Sequence, residues 1–389
     1  MTPAKGYTEM KDSGIQWIGQ IPTHWLLKKA KYCVSITNGS DPKSEGTVPV
    51  YGSGSESFKT CGEYKEGPAV LIGRKGATLH IPHYIEGRYW NVDTAFDVKP
   101  QEGFSLRYYY YLACVFDYNY YISQTTLPGM TQTNYNNMKF PCPSLDEQSA
   151  IASYLDAQCA KIDEIIAQAK ASIEDYKQWK ASIIYEAVTK GLNPNVEMKD
   201  SGIEWIGRMP AHWTAPALKH LCTMQAGKNL ISEQISTSGQ YPVYGGNGQR
   251  GYYSDYNANG NFLLVGRQGA LCGNVHYVSG NFWATEHAVV TTPSKITNIR
   301  YLYYLLIAMD LNQYASNSAA QPGLSVGNIL TVKTLLPPIG EQVRISEFLD
   351  NGCPKIDEVI TEKQSLIDDL ESYKKSLIYE VVTGKRRVV

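Results

Sequence analysis

Two long stretches of this chain carry apolar residues at heptad spacing. From Leu145 to Lys190 there is no Pro or Gly, and apolar residues recur every three or four positions. This pattern predicts a helix whose apolar stripe forms a coiled-coil seam, and it returns near the C-terminus. The predicted seam positions are Leu155, Ile162, Ile166, Ile173, Tyr176 and Ile183 in the first helix, and Leu349, Ile356, Ile360, Ile367, Leu370 and Leu377 in the second.

The two predicted helices are expected to pack on each other. A helix of about 40 residues is about 60 Å long at 1.5 Å per residue, and alone it cannot bury its stripe. Because the chain returns between the two helices, an antiparallel pair is the expected geometry. The segment Gly352–Pro354 is expected to dent the second helix near its start.

The rest of the chain reads as two mixed α/β heads. Short apolar runs are broken by Gly, Asn, Ser and Pro. The runs AVLIG at 69–73 and NFLLVG at 261–266 continue into glycine turns, which predicts a strand followed by a turn. The aromatic-aliphatic runs that begin at Arg107 and Arg300 favour short buried helices.

An internal repeat sets the order of these parts. Of the 16 positions from Met10 to Trp25, 12 are identical in Met198 to Trp213, and matches continue downstream at an offset that drifts from 188 to 194 residues. The chain is therefore expected to be a tandem α/β (α+β) duplication with pseudo-two-fold symmetry, the heads separated by a long antiparallel two-helix coiled coil. The predicted segments are 1–25, 26–144 (first head), 145–191 (first helix), 192–213, 214–338 (second head) and 339–389 (second helix).

Composition narrows the class of protein only slightly. The net charge is −1, the eight cysteines are scattered without a CxxC pair, and no run of 18 apolar residues occurs. We therefore expect no metal site, no disulfide framework and no membrane partner. The N-terminal residues lack the apolar core of a signal peptide, so a cytoplasmic protein is expected.

The candidate binding residues lie in two turns and two loops. The turns hold Arg74 and Lys75 in the first head and Arg267 and Gln268 in the second. Between glycines, such residues suit phosphate and base-edge contacts; a structural hairpin with cations facing water is the alternative. The loops 128–136 and 322–328 are rich in polar side chains that suit DNA, or they are capping loops. Their candidates are Gln132, Asn134, Tyr135, Asn136, Ser325 and Asn328.

Catalytic constellations are not found in the sequence. An amino-methyltransferase needs an Asn/Asp-Pro-Pro-aromatic tetrapeptide, but the single Pro-Pro pair is flanked by Leu336 and Ile339. Glu63 and Lys65 have the spacing of a nuclease E-x-K pair, yet the second copy does not repeat it. The expected set of catalytic residues is therefore empty.

Several of these segments resemble one family. The repeat MKDSGIEWIGRMPAHW, the turn VGRQGA and the blocks PCPSLDEQSAIASYLDAQCAKID and LPPIGEQVRISEFLDNGCPKID are similar to specificity subunits of type I restriction-modification systems. The resemblance implies that each head is a target-recognition domain reading one half of a bipartite, asymmetric sequence in double-stranded DNA. It implies that the helices set the spacer and dock two methyltransferase subunits, with two restriction subunits in the full complex.

The resemblance also implies a division of chemistry. No cofactor is expected on this chain, and S-adenosylmethionine, ATP and Mg are expected on the partner subunits. One alternative from a different class stays open: a coiled-coil scaffold whose two heads bind protein.

Overall fold

The computed structural model describes residues 6–54, 56–75, 81–122, 129–269, 272–315 and 323–388. The chain forms two compact units. Unit 1 comprises Met1–Lys170 and Gln364–Val389, and unit 2 comprises Ala171–Lys363. Each unit contains one head and parts of both long helices, so the compact units do not follow the linear segments predicted from the sequence.

The first head is built from short strands and two helices. In its described part, one four-stranded sheet has the order β6-β5-β10-β7, another has the order β4-β11-β8-β9, and β12-β3 is a two-stranded pair. The two-stranded pair β1-β2 lies in the repeated segment that precedes the head. The elements are β1 Met10–Asp12, β2 Gln20–Pro22, β3 Leu26–Lys29, β4 Val34–Asn38, β5 Val48–Tyr51, β6 Ser57–Cys61, β7 Lys65–Glu66, β8 Ala69–Gly73, β9 His83–Ile85, β10 Arg88–Asn91, β11 Ala95–Pro100, α1 Leu106–Ala113, α2 Gln132–Asn137 and β12 Lys139–Cys142.

The helix α3, Leu145–Lys190, follows the first head. The second head then repeats the scheme with β13 Met198–Asp200, β14 Arg208–Pro210, β15 Cys222–Ala226, β16 Tyr241–Gly245, β17 Gly248–Tyr253, β18 Ala258–Gly266, β19 Val275–Ala284, β20 Ala288–Pro293, α4 Ile299–Ala308, α5 Val326–Thr331 and the long helix α6 Ile339–Val382. The structure confirms the tandem α/β heads and the two long helices.

The heads differ in how continuous two strands are: β18 occupies the place of both β7 and β8, and β19 the place of both β9 and β10. In the second head, the ten-residue β19 joins β18 on one side to β16 on the other, which gives a single sheet of order β15-β20-β18-β19-β16-β17. In the first head the corresponding segment is two strands, β9 and β10. Gly87, at φ +80, lies between them, and this left-handed backbone ends β9. The same topology therefore appears as two sheets in one head and one in the other.

The predicted strand-turn and helix segments lie where the sequence places them. All five residues of β8 are buried, and β11 pairs with β8 on one side and β4 on the other. The tyrosine-rich runs form α1 and α4, whose N-caps are Ser105 and Asn298. Each cap side chain accepts hydrogen bonds from first-turn N–H groups, which explains where the helices begin.

The helical seam is buried within each unit. Of the predicted seam residues, eight are buried (Leu155, Ile162, Ile166, Ile173, Leu349, Ile356, Ile367 and Leu377) and four are half-buried (Tyr176, Ile183, Ile360 and Leu370). Near the end of α3 the fully buried positions become Ile184 and Val188, because a straight 3.6-residue helix drifts against a seven-residue repeat.

Ion pairs show that the helix segments in unit 1 run antiparallel. Nζ of Lys374 lies 2.7 Å from the Asp163 carboxylate and Nζ of Lys170 lies 3.8 Å from Glu371, so residue numbers rise along one helix as they fall along its partner. Unit 2 holds the reciprocal contact, with Nζ of Lys180 2.7 Å from Asp357.

The second long helix continues through Pro354 without a break. The proline ring lies on the exposed face. The carbonyl that loses its partner because proline has no N–H therefore faces the side from which water can reach it. Across the described residues, neither long helix nor any other is apolar over enough of its length to cross a membrane.

Candidate nucleic-acid interface

The candidate turn and the candidate loop of the first head are hydrogen-bonded neighbours. The N–H of Met130 donates to the carbonyl of Arg74 at 2.8 Å, and Lys75 forms an isolated antiparallel bridge with Gly129. The N–H of Arg74 donates to the carbonyl of Thr94. These backbone bonds fix the turn at the end of β8 against the start of the segment that leads into α2.

The second head repeats this junction with different side chains. The N–H of Leu324 donates to the carbonyl of Arg267 at 2.9 Å, and Gln268 forms the bridge with Gly323. The structure therefore brings both candidate sets of each head onto one edge, which the sequence had given as separate sets. Pro128 and Pro322, where the predicted loops begin, lie outside the described residues.

The side chains of the two turns are held differently. Arg74 is half-buried: its Nη1 donates to the carbonyl of Asp93 at 3.2 Å, and its guanidinium lies 5.7 Å from the Phe96 ring centroid. Nζ of Lys75 lies 3.3 Å from the Asp93 carboxylate. Arg267 and Gln268 are exposed. In the first turn the two cationic side chains are therefore already paired with Asp93, whereas in the second turn both side chains are open to solvent.

Short helices occupy the places where the sequence predicted loops. The Thr131 side chain caps α2 by accepting from the N–H of Asn134, and Ser325 caps α5 by accepting from the N–H of Asn328. The prediction of irregular loops was wrong here, because each Ser/Thr cap nucleates one and a half helical turns. Ser325 thereby has a capping role, the structural alternative considered for these loops.

The polar candidates of α2 lie on its outer side, except one. Gln132 and Asn134 are exposed, with Nε2 of Gln132 donating to the carbonyl of Ile36 and Nδ2 of Asn134 to that of Tyr121. Asn136 is half-buried, and Asn328 of α5 is exposed. These four remain candidates for contact with a ligand.

Tyr135 is a core residue, and its prediction as a binding residue is corrected. Its side chain is 0% exposed, its hydroxyl hydrogen bonds with that of Tyr109, and its ring packs against Phe96 and Phe140. The prediction treated 128–136 as an open loop. Because α2 is a helix, successive side chains point about 100° apart around its axis, and Tyr135 lies on the side that faces the core.

Exposed lysines beside α2 were missed by the sequence reasoning. Lys28, Lys29, Lys31 and Lys139 are exposed on and next to the β3-β12 pair, in which Lys139 lies opposite Lys29. Nζ of Lys29 donates to Oδ1 of Asn137 in the last turn of α2 at 3.3 Å. The available signal was that segments 26–40 and 129–144 contain no Asp or Glu.

A glutamate that occurs in both copies of the repeat joins each head to its long helix. Oε1 of Glu147 accepts from Nε1 of the fully buried Trp25 at 3.3 Å and lies 3.0 Å from Nε2 of His24. In unit 2, Glu341 makes the same contacts with Trp213 at 3.0 Å and His212 at 2.7 Å. The glutamate thus ties the repeated MKDSGI…HW segment to the first turn of the helix.

The environment of these glutamates favours their charged form. Burial acts to raise the pKa of Glu147, but hydrogen bonds from His24 and Trp25 outweigh it, so that the pKa lies below its ordinary value of 4.5. For Glu341, burial likewise acts to raise the pKa, and the bonds from His212 and Trp213 bring it below 4.5. Glu147 also closes a capping box with Ser144, whose hydroxyl accepts from the N–H of Glu147.

The glutamine that follows each of these glutamates also hydrogen-bonds to the backbone of the head. Oε1 of Gln148 accepts from the N–H of Ser105, the N-cap of α1, at 2.8 Å, and its amide donates to the carbonyl of Pro143. Gln342 accepts from the N–H of Asn298 at 2.7 Å and donates to Pro337. Both glutamines are fully buried, so each satisfies backbone groups that water cannot reach.

The contacts between a head and the first turns of its long helix form a joint, and an Arg–Asp ion pair completes it in each unit. Nε of Arg107 donates to Asp156 at 2.7 Å, and its guanidinium lies 4.3 Å from the Tyr84 ring centroid. Arg300 pairs with Asp350 in the same way, with its guanidinium 4.8 Å from the Tyr277 ring. The joint therefore combines charge, hydrogen bonding and cation–π attraction.

The sequence profile of the type I restriction modification DNA specificity domain matches residues 30–175 and 210–366. The chain belongs to this family. One match falls in each copy of the repeat, and each runs through a head and more than half of the helix that follows it.

Individual members of the specificity family match parts of the chain. The EcoprrI specificity subunit of Escherichia coli is 47% identical over 137 residues, 34% of each chain. The MjaVIII specificity subunit of Methanocaldococcus jannaschii is 24% identical over 290 residues, 68% of this chain and 66% of that subunit. The match thus spans about a third of the first relative and less than two thirds of the second.

A solved structure shares the fold of this chain. The chain aligns with a protein described under "complex assembly and conformational transition of the type I R-M system" at a TM-score of 0.70 and 14% identity, covering 93% of this chain and 98% of that one. At this identity the likeness supports the fold.

The motif that carries the family resemblance is structural in this chain. Its Glu-Gln pair and the Asp of its Leu-Asp pair are the residues that join head, repeated segment and helix in both units. Within the described part of the chain, no group of three or more His, Cys, Asp or Glu side chains is arranged to hold a metal ion.

Proposed function

We propose that this chain is the DNA-specificity subunit of a type I restriction-modification complex, in which each head reads one half of an asymmetric, bipartite site. The observation that carries the proposal is that each head has an equivalent edge, formed by its turn and the short helix beside it. The backbone junction is the same in both, yet Lys75 stands in one where Gln268 stands in the other. Lys suits the acceptors of guanine and Gln the donor-acceptor pair of adenine, so equal frames can read unequal half-sites.

In this proposal the DNA-contacting set within the two turns and two loops is smaller than the sequence suggested. It consists of Arg74, Lys75, Gln132, Asn134 and Asn136 in the first head and Arg267, Gln268 and Asn328 in the second, with Ser325 contributing through its cap. The backbone positions the outward side chains of α2 and α5 beside the turn residues. A short helix beside a turn presents several polar groups at fixed spacing, as base-edge readout requires.

The long helices are proposed to set the spacer and to dock two methyltransferase subunits, with two restriction subunits in the full complex. Because the seam residues are buried within the chain, docking falls to the outer helix faces. Those faces carry exposed apolar side chains that a partner could cover, among them Ile165, Trp179, Phe348 and Tyr373.

The chain itself is proposed to be non-catalytic and cytoplasmic. S-adenosylmethionine, ATP and Mg would bind the partner subunits, and this chain would bind none of them. The test is to supply the purified chain with DNA, Mg and S-adenosylmethionine. Methylation or cleavage by a preparation free of other subunits would contradict the proposal.

A head exchange tests the central claim. Residues 26–144 are replaced by the first head of another specificity subunit, and the chimaera is expressed with the methyltransferase subunit. Sequencing of methylated bases should show one half of the target changed and the other half retained. The matched control replaces 214–338 and should change the opposite half. If either exchange alters both halves, the heads do not read DNA independently.

The same complex separates this function from a protein-binding scaffold. A DNA-specificity subunit neutralises phosphates, so its affinity for DNA should fall steeply as salt rises. A scaffold with protein-binding heads predicts no sequence-dependent DNA affinity at any salt concentration.

A further inference from the structure

The strands that flank the candidate edge are free of acidic residues in both heads. In the first head, segments 26–40 and 129–144 contain four lysines and no Asp or Glu. In the second head, segments 214–232 and 323–340 contain three lysines and no Asp or Glu. The chain as a whole carries 37 acidic residues, one more than its Lys and Arg together. The excess of positive charge at this surface is therefore local.

These segments are contiguous with the candidate readout helix. The β3-β12 pair places Lys29 opposite Lys139, and the N–H of Ala30 donates to the carbonyl of Met138, directly after α2. The Lys29–Asn137 hydrogen bond links the pair to the last turn of α2. From the turn at Lys75, the edge thus continues along α2 to the lysines.

The lysines have no paired carboxylate among the described contacts of this edge. Nζ of Lys29 meets the amide of Asn137, and Nζ of Lys31 lies 4.8 Å from the ring centroid of Tyr32, which is 60% exposed. The ammonium of lysine is a compact charge on a flexible stem, so it can pair with a phosphate without a fixed hydrogen-bond geometry. The chemistry of this surface therefore fits a polyanion backbone.

The two heads carry this surface unequally. Lys31 and Lys139 correspond to Lys219 and Lys333 at the repeat offsets, while Lys28 and Lys29 correspond to Pro216 and Ala217. Lys219 and Lys333 are exposed, and the N–H of Leu218 donates to the carbonyl of Val332 beside α5. The frame is thus the same, with fewer charges in the second head.

We propose that Lys29, Lys31 and Lys139 form a site for DNA backbone phosphates in the first head, that Lys219 and Lys333 form its smaller counterpart, and that the first head supplies the larger share of salt-dependent affinity. This inference rests on the proposed function and assigns it a set of residues distinct from those that read bases. Each lysine neutralises a phosphate whatever the DNA sequence, so this site contributes affinity. The turn and α2 distinguish one base sequence from another.

The test uses the complex of this chain with its methyltransferase subunits. Dissociation constants are measured between about 50 and 200 mM salt for a duplex that contains the sequence methylated by this complex and for a duplex that lacks it. The variants are Lys29→Gln/Lys31→Gln/Lys139→Gln, Lys219→Gln/Lys333→Gln, and a control triple of exposed lysines outside these segments and outside the long helices, Lys43→Gln/Lys59→Gln/Lys295→Gln.

The first triple variant should lower the magnitude of the slope of log affinity against log salt by about 2.7, at about 0.9 for each phosphate contact. Over that fourfold rise in salt, the wild-type complex should lose about 40-fold more affinity than the variant. The double variant should lower the slope by about 1.8. Both duplexes should be affected alike, and the methylated sequence should stay unchanged.

Three other outcomes are decisive. An unchanged slope in folded triple-variant complexes overturns the phosphate site, while specific binding by the wild type still upholds the proposed function. An equal slope change in the control triple shows that only total charge matters and also overturns it. If the wild-type complex binds neither duplex, the proposed function itself fails. Should the triple variant unfold, the single substitutions, each worth about 0.9, carry the same test.

Discussion

Individual residues in this chain divide into those that hold the heads and those that face outward. Trp25 and Trp213 are fully buried, and each donates its indole N–H to a glutamate of a long helix. Gln132, Arg267 and Gln268 lie outside the core. Substitutions in the first group should change stability, and those in the second should change recognition.

The repeated glutamates should make stability sensitive to acid. Burial acts to raise the pKa of Glu147 and Glu341, but their hydrogen bonds outweigh it and bring both below 4.5. The folded state therefore binds these protons less tightly than the unfolded chain. The associated stability is complete above the ordinary pKa and is lost as the pH falls through the lowered pKa.

The double variant Glu147→Gln/Glu341→Gln tests this at each joint. Loss of two charge-assisted bonds should lower the free energy of unfolding at neutral pH by about 1 kcal/mol per site. Unfolding measured by calorimetry from about pH 6 to pH 3 should then show a shallower acid decline than in the wild type. Parallel pH profiles would contradict the assignment.

Tyr135 and Gln132 lie three residues apart and should respond in opposite ways. Tyr135→Phe leaves the buried hydroxyl of Tyr109 without its partner, so stability should fall by about 1 kcal/mol with the target sequence unchanged. Gln132→Ala removes an exposed candidate for base contact and should relax specificity in one half-site at little cost in stability. Thermal unfolding and sequencing of methylated bases give both readouts. A changed target in the Tyr135→Phe variant would restore that residue as a binding candidate.

Among the structural elements, the long helices carry reciprocal ion pairs. Lys374 pairs with Asp163 in unit 1 and Lys180 with Asp357 in unit 2, with Nζ 2.7 Å from both carboxylate oxygens in each case. Lys180 and Lys374 occupy seam positions that are otherwise apolar. A polar residue in a coiled-coil seam specifies register, often at a cost in stability.

A charge swap tests the register function. Lys374→Asp places two carboxylates together and should destabilise unit 1, while Lys374→Asp combined with Asp163→Lys should recover most of the loss. The lysine is about 30% exposed and the aspartate 55%, so the expected coupling is small, about 0.5–1 kcal/mol. A double-mutant cycle in urea measures it. The matching pair, Lys180 and Asp357, serves as the second test. Zero coupling energy at both pairs would show that they do not specify the register of the helices.

For the whole molecule, the expected relation is between helix length and DNA spacer. Seven residues are inserted in register between Lys170 and Ala171 and between Lys363 and Gln364, where each helix passes from one unit to the other. Each helix then lengthens by about 10 Å. The preferred spacer should grow by up to about three base pairs, less where the heads must also follow the turn of the duplex.

A library of sites with graded spacers, methylated by the complex, gives the measurement. The control inserts four residues in α3 alone, which breaks the seam and should lower stability without defining a new spacer. If the in-register variant is folded and active and keeps the wild-type spacer, the helices do not set the distance.

The sequence by itself determined the parts of this protein that depend on neighbours along the chain. Heptad spacing located α3 and α6, and the aromatic runs located α1 and α4, because a periodic apolar face forms from residues only three or four apart. The internal repeat established two equivalent copies, and the motifs indicated the family. None of this required a contact between distant segments.

The tertiary structure alone decided which distant residues meet. Lys75 meets Gly129, and Gln268 meets Gly323, across separations that no local pattern encodes. Packing turned Tyr135 inward, although the composition around it suggested a polar loop. Each compact unit draws on both copies, since an apolar helical stripe is buried only when a partner covers it, and the chain supplies that partner from its other half.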